Sequence, residues 1–202
     1  MSKQKYFLVG GTSLPNKPIK YVILGPVKCG TCSLQEYYRV KYPDYEAVRV
    51  ETIWKDDAFD QWEELLKDHP EAIPVIITRN PTDAMWSYYW YFKQRRKDLS
   101  FEDWLKLPLF MDRQGEPGTP AHAYNFDVWI KRWSQYNPLV VSLEEIKNEI
   151  DFPIINKTSN KPERKRKHWG WKDNKWPEIS PKERQIAEDA IKLESLINNF
   201  KQ

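Results

Sequence analysis

The sequence predicts an α/β domain built around a parallel sheet. Short apolar runs alternate with amphipathic segments of helical length along the 202-residue chain, which is the pattern of strand–helix–strand units. The clearest strand is Pro74–Thr78, because a continuous β-branched run is typical of a central parallel strand buried on both faces. A single domain over residues 1–202 is long enough to bury a sizeable core without disulfides or metals.

The elements follow one another in a regular order. Apolar runs closed by turn residues predict strands at Tyr21–Gly25, Ala47–Val50, Pro74–Thr78 and Leu139–Val141. Helical spacing predicts helices at Thr31–Val40, from Phe59 to near Pro70, from Pro81 to Arg96, briefly from Ser100, and at Asn125–Gln135. The segment Asp112–Pro120 is rich in Gly and Pro and is predicted to be a loop.

The last helix has the strongest boundary signal. Ser180, Pro181 and Glu183 supply an N-cap, a proline at the first helical position and the glutamate of a capping box. A second capping pair, Ser142 and Glu145, predicts a short helix after the fourth strand. The buried stripe of the last helix is predicted to consist of Ile186, Ala190, Leu193, Ile197 and Phe200.

The composition narrows the classes of function. A net charge of +3 is too small to indicate nucleic-acid binding, although the locally basic segment Lys161–Lys172 predicts a nearby anion. No apolar run approaches the roughly 18 residues of a membrane span, and Tyr6–Val9 is too short for a secretory signal, so we expect a cytoplasmic protein without membrane contact. The ten tryptophans are expected to fill the core in preference to lining a carbohydrate-binding surface.

Two segments carry the residue types of a phosphate site. The first, Gly25–Ser33, joins a buried strand to a helix, where backbone N–H groups and the helix dipole favour an anion. It is not a Walker A loop, because Lys28 precedes Gly30 by two residues. In the second, Arg79 ends a strand and offers a planar fork for phosphate, and Ser87 adds a hydroxyl two turns into the next helix. Seen singly, a capping or salt-bridge role for Arg79 and a filler position for Ser87 are commoner than a ligand role, but the two together at this spacing favour function.

Together these segments resemble the nucleotide motifs of the PAPS-dependent sulfotransferases, particularly the Golgi and heparan-modifying branch. The run KCGTCSL from Lys28 matches the family's loop for the 5′-phosphosulfate of 3′-phosphoadenosine 5′-phosphosulfate (PAPS), and Arg79 to Ser87 resembles its 3′-phosphate motif. The resemblance implies a three-layer P-loop NTPase-like fold with a central parallel sheet flanked by helices. It also implies metal-independent sulfuryl transfer that leaves PAP, with donor-binding roles for Lys28, Cys29, Gly30, Thr31, Cys32, Ser33, Arg79 and Ser87.

The resemblance further implies catalytic groups. Lys28 is expected to stabilise charge on the leaving phosphate, and Asp56 falls where heparan-type members carry the glutamate that acts as base. Asp57, Glu51 and His122 are alternative bases, and an acid at position 56 or 57 is equally suited to begin the next helix. The family places a loop that closes over the nucleotide where this chain has a basic run that includes Arg164 and Lys165.

Three other functions compete with this interpretation. Cys29 and Cys32 form a C-x-x-C at a helix start, as in thiol oxidoreductases. A nucleotide kinase or NTPase would need a Walker lysine and a magnesium-binding acid, whereas the third strand ends in Thr78-Arg79. A non-catalytic polyanion- or carbohydrate-binding module would use the tryptophans and the basic run. Under the sulfotransferase hypothesis, the acceptor is a small molecule or a carbohydrate with a hydroxyl or amine group.

Overall fold

The computed structural model centres on a four-stranded parallel sheet. Its strands are β1 (Ile19–Gly25), β2 (Glu46–Glu51), β3 (Ile73–Thr78) and β6 (Leu139–Ser142), in the order β2-β1-β3-β6. All four match predicted strands, so the prediction of an α/β class with a parallel sheet is confirmed. The residues described are 17–51, 57–93, 98–107, 110–111, 117–146 and 177–200.

Helices connect and cover the strands. They are α1 (Thr31–Lys41), α2 (Asp57–Asp68), α3 (Pro81–Lys93), α4 (Phe101–Leu105), α5 (Pro120–Ala123), α6 (Phe126–Trp133), α7 (Leu143–Ile146) and α8 (Pro181–Phe200). Two short strands, β4 (Phe110–Met111) and β5 (Pro117–Gly118), pair antiparallel; β4 lies just before the segment predicted as a loop, and β5 lies within it. Two-residue strands are too short to show an alternating pattern, which is why the sequence did not indicate them.

The two faces of the sheet are buried under different helices. Tyr21 and Ile23 of β1 pack in one cluster with residues of α1, α3, α4, α5 and α8, whereas Val22 and Leu24 pack in a second cluster with residues of α2 and α6. Alternate residues of a strand point to opposite faces, so a continuously apolar strand supplies both cores. The helices therefore flank the sheet on both sides, as predicted.

The described tryptophans belong to these cores. Trp62 and Trp133 are fully buried in the second cluster, with ring centroids 3.9 Å apart and an interplanar angle of 66°. Trp104 is fully buried in the first cluster. Edge-to-face pairs of this kind stabilise a core beyond their buried area. Within the described ranges, no helix combines the length and the apolar composition that crossing a bilayer requires.

The predicted N-terminus of α8 is confirmed, but its buried stripe is partly wrong. Leu193 is 59% exposed, whereas the predicted Ile186 and Ala190 pack against the core and Ala187, outside the predicted stripe, is fully buried. The side chains of Ile197 and Phe200 lie outside the described part of the chain. The helix is turned so that Glu194 faces α5, where Thr119 Oγ1 donates to Glu194 Oε1 at 2.7 Å. The face of α8 that packs on the core is formed by Ile186, Ala187, Ala190 and Ile191, and it excludes Leu193.

Replacing Ser180 tests how much the capping box of α8 contributes to stability. The Glu183 amide donates to Ser180 Oγ at 3.3 Å, and the Ser180 amide donates to Glu183 Oε2 at 3.2 Å. We expect Ser180→Ala to lower the free energy of unfolding by about 1 kcal/mol, measured by urea denaturation. The control Ser134→Ala removes an exposed hydroxyl bonded to Lys131 O and should change stability by less than about 0.5 kcal/mol. Equal losses in both variants would contradict the capping role.

Candidate functional site

The candidate site lies at the carboxyl ends of β1 and β3. Strand β1 pairs with β2 on one side and with β3 on the other, so the chain crosses over β1 between β2 and β3. The direction of chain progression thus reverses between β1 and β3, which makes this crevice a topological switch point. Open parallel sheets bind ligands in such crevices, outside the carboxyl ends of the strands. The loops that flank it begin at Pro26 and Arg79.

The loop after β1 adopts a tight, left-handed conformation. Lys28 has φ 68° and Gly30 has φ 90°, and the Cys29 amide donates to Pro26 O at 3.3 Å. Gly30 is the N-cap of α1 and has no side-chain oxygen to cap the first amides of the helix. Turns of this kind at a helix N-terminus form concave backbone sites for anions.

Glycine at position 30 also permits a close packing contact. A Cβ atom there would lie 2.7 Å from Leu143 Cδ1 at the start of α7. A Cβ at Gly25, the last residue of β1, would lie 2.7 Å from Ile77 Cγ2 of β3. Both glycines therefore let neighbouring elements approach the loop more closely than any other residue would allow.

The two motif segments meet directly in the crevice. Arg79 Nη1 donates a hydrogen bond to the Lys28 carbonyl oxygen at 2.8 Å. This bond uses one of the five N–H donors of the guanidinium group. The segment that follows β1 and the segment that follows β3 are therefore joined through a side chain of one and the backbone of the other.

Further polar groups of the predicted set come from α1 and α3. Thr31 and Ser33 are buried in the first turn of α1, and Ser87 is only 7% exposed on α3. The ammonium of Lys28 lies 5.3 Å from the centroid of the Tyr91 ring, one helical turn beyond Ser87, within cation–π distance. The side chain of Lys28 thus extends toward the helix that carries Ser87.

A carboxylate from α7 fixes the turn after Arg79. The Asn80 amide donates to Glu144 Oε1 at 3.2 Å, and Asn80 Oδ1 accepts from the Asp83 amide at 3.1 Å, which caps α3. Ser142 Oγ donates to the other oxygen of Glu144 at 3.2 Å. The short helix predicted after the fourth strand is present, and Glu144 holds the start of α3. No local pattern marked Glu144 for this role.

A second residue that sequence reasoning missed is Tyr124, between α5 and α6. Its side chain is fully buried, and its hydroxyl donates to the Val27 carbonyl oxygen at 2.8 Å. The bond joins residues 97 positions apart in the chain. A lone tyrosine in an irregular segment gives no signal of such a partner.

The described candidate bases lie in different parts of the structure. Glu51 is the Cα partner of Gly25, so its backbone lies at the same edge of the sheet as the Lys28 loop. Asp57 is the first residue of α2, where acids are favoured. His122 Nδ1 lies 3.6 Å from Glu194 Oε2, at the contact between α5 and α8. The predicted site residues Asp56, Arg164 and Lys165 lie outside the described residues.

The C-x-x-C cysteines are in different environments. Cys29 is fully buried and Cys32 is half-buried, and neither forms a disulfide. A reactive thiol needs exposure as well as a lowered pKa, and buried structural cysteines are inert. The first cysteine of the motif therefore packs as a core residue: it belongs to the same cluster as Leu34 and Ile77.

Comparisons with known proteins add no assignment. The sequence matches no protein-family model. None of the characterised proteins compared with the chain is significantly similar to it. Function has to be inferred from the residues of the site and their geometry.

A Gly30→Ala substitution tests the packing of the loop. It places a Cβ at a left-handed position and against Leu143, so we expect the free energy of unfolding to fall by about 2–4 kcal/mol. Denaturant unfolding measures the loss. In a double-mutant cycle, Leu143→Ala relieves the steric part, and a coupling energy of about 1 kcal/mol or more is expected. Strict additivity of the two substitutions would contradict the contact.

Proposed function

We propose that this chain is a PAPS-dependent sulfotransferase with a P-loop NTPase-like fold. The observation that supports the proposal most is the 2.8 Å hydrogen bond from Arg79 Nη1 to the Lys28 carbonyl oxygen. It brings the segment that resembles a 5′-phosphosulfate loop together with the segment that resembles a 3′-phosphate motif. A nucleotide phosphorylated at both positions needs two anion sites in one crevice, and these two segments supply them.

The residues present fit such a donor. On the 5′ side are the left-handed turn at Lys28, the N-terminus of α1 and the buried hydroxyls of Thr31 and Ser33. On the 3′ side are the planar fork of Arg79 and the hydroxyl of Ser87. Arginine suits phosphate because it donates two parallel hydrogen bonds, and a helix N-terminus suits the second phosphate because its amides and dipole point at the anion.

The proposed reaction is an in-line displacement at sulfur. A lone pair on the acceptor oxygen or nitrogen forms the new bond to sulfur, and the bond from sulfur to the bridging oxygen of the 5′-phosphate breaks. The electron pair of that bond stays on the phosphate of PAP, where the Lys28 ammonium stabilises the added charge. The acceptor proton passes to a base, for which Asp56 is the first candidate and Asp57, Glu51 and His122 are the alternatives. Positioning and electrostatics supply the catalysis.

The proposed partners follow from the same chemistry. The acceptor is a small molecule or a carbohydrate with a hydroxyl or amine, and Arg164 and Lys165 belong to the segment proposed to close over the nucleotide. Neither nucleic acid nor a membrane is a proposed partner, and the proposed location is the cytoplasm.

The competing functions have less support. The burial of Cys29 argues against a thiol oxidoreductase, in which the attacking cysteine must be accessible. At the end of β3, Thr78 Oγ1 donates to Val141 O and Arg79 follows, where an NTPase would carry a magnesium-binding acid. The burial of Trp62, Trp104 and Trp133 removes them from any carbohydrate-binding surface.

The first test of the proposal is calorimetric titration with PAP. We expect binding that persists in EDTA, and we expect Arg79→Ala to weaken it about tenfold to a hundredfold, because a charge-assisted bond to phosphate is lost. The matched control is Arg39→Ala. Arg39 lies in the last turn of α1 and pairs with Glu46 of β2. The control should bind PAP as the wild type does. Absence of PAP binding by the wild-type protein would overturn the proposal.

A Cys32→Ala variant separates the proposal from the redox alternative. It keeps the backbone amide of position 32 and removes the thiol, so PAP affinity should stay within about threefold of wild type, since less than 1 kcal/mol is lost. Any dithiol–disulfide activity would disappear. Disulfide reductase activity in the wild type that Cys32→Ala abolishes would favour the oxidoreductase.

A further inference from the structure

The backbone of the Lys28 loop is held by side chains from two remote elements. Tyr124 donates to the Val27 carbonyl oxygen and Arg79 donates to the Lys28 carbonyl oxygen, both at 2.8 Å. Two consecutive carbonyl groups of the loop therefore accept hydrogen bonds from side chains outside the loop. Within the loop itself, the Cys29 amide bonds to Pro26 O.

The conformation that these bonds hold is not one that lysine adopts readily. Lys28 has φ 68°, in the left-handed region that few residues other than glycine occupy. Such conformations persist only where the surrounding structure determines them, and they cluster at functional sites. The bond from Arg79 is made by a charged donor to the carbonyl of this same residue, so it is the contact best placed to hold it.

We propose that Arg79 is a positioning residue for Lys28 as well as a ligand of the donor's 3′-phosphate. The inference rests on the proposed function and extends it. One nitrogen of the guanidinium group holds the backbone of Lys28 in its left-handed conformation, and the other nitrogens remain in the fork geometry that suits phosphate.

This double role couples the two ends of the donor. A 3′-phosphate that orders the Arg79 side chain also orders the loop that binds the 5′ group, because the same planar group makes both contacts. Lys28 extends its ammonium toward Tyr91 from this backbone conformation, so a change at Arg79 alters where the charge of Lys28 lies. Arg79 therefore also contributes to binding of the 5′ group, which the 3′-phosphate does not contact.

Two nucleotides that differ only in the 3′-phosphate test this coupling. PAP carries the 3′-phosphate and 5′-AMP lacks it, so a residue that binds only the 3′-phosphate has no effect on 5′-AMP. We expect Arg79→Ala to weaken 5′-AMP binding about tenfold and PAP binding more than that. In the ligand-free protein, amide hydrogen exchange in the peptide that covers Pro26–Gly30 should be about tenfold faster in Arg79→Ala than in wild type.

Control variants separate this role from general destabilisation. Arg39→Ala should leave loop exchange and both affinities unchanged, because its partner Glu46 lies at the start of β2. Tyr124→Phe removes the hydroxyl that donates to the Val27 carbonyl of the same loop, and it should weaken PAP and 5′-AMP binding by the same factor. If Arg79→Ala does not fold, Arg79→Lys replaces it, because lysine keeps the charge but lacks the fork and should still accelerate loop exchange.

The outcomes distinguish the inference from the proposed function. Loop exchange and 5′-AMP affinity within twofold of wild type, beside a loss of PAP affinity, would overturn the positioning role and leave the sulfotransferase proposal standing. A wild-type protein that binds neither nucleotide would overturn both. Faster loop exchange together with weaker 5′-AMP binding in the Arg79 variants would establish the coupling, provided that Arg39→Ala shows neither change.

Discussion

Strands β1 and β3 pair in parallel although β2 and α2 lie between them in the sequence. This pairing brings the residues after Gly25 and the residues after Thr78 to one edge of the sheet, with their chains running in the same direction. The bond from Arg79 to Lys28, the capped start of α3 and the N-terminus of α1 all depend on it. An antiparallel arrangement of the same strands would send the two loops to opposite ends of the sheet.

The sheet brings the loops together, but remote side chains determine their shape. Leu143 packs where a Cβ of residue 30 would be, Glu144 accepts from the Asn80 amide, and Tyr124 bonds to Val27. The first two belong to α7, which starts directly after β6. Helix α7, which follows β6, therefore contacts both loops and supports them from one side. Such supporting contacts allow a backbone to stay in a sparsely populated conformation.

The sequence predicted those parts of the molecule that have a local physical signature. Buried parallel strands are continuously apolar, and a capping box has fixed spacing, so β1, β3 and the start of α8 were predicted from a few residues each. Tertiary polar contacts have no such signature. Glu144 is separated from Asn80 by 64 positions. The burial of Leu193 was wrongly predicted, because helical spacing alone does not show which apolar residues of a helix face the core. Asp56 as the base stays a prediction, because it lies outside the described residues and a base is defined by what it faces.

The separations spanned by the loop contacts have a consequence for how the protein is made. The bond to Val27 closes 97 residues of chain and the bond to Lys28 closes 51, so the loop cannot take its final shape when β1 first leaves the ribosome. Non-local parallel pairings form slowly, because the entropy of closing long loops has to be overcome before the contacts form. A nascent chain that ends before Leu143 lacks α7, and its Lys28 loop has not yet gained all the contacts that shape it. If the proposed nucleotide binds there, we expect it to stabilise the last part of the domain to assemble.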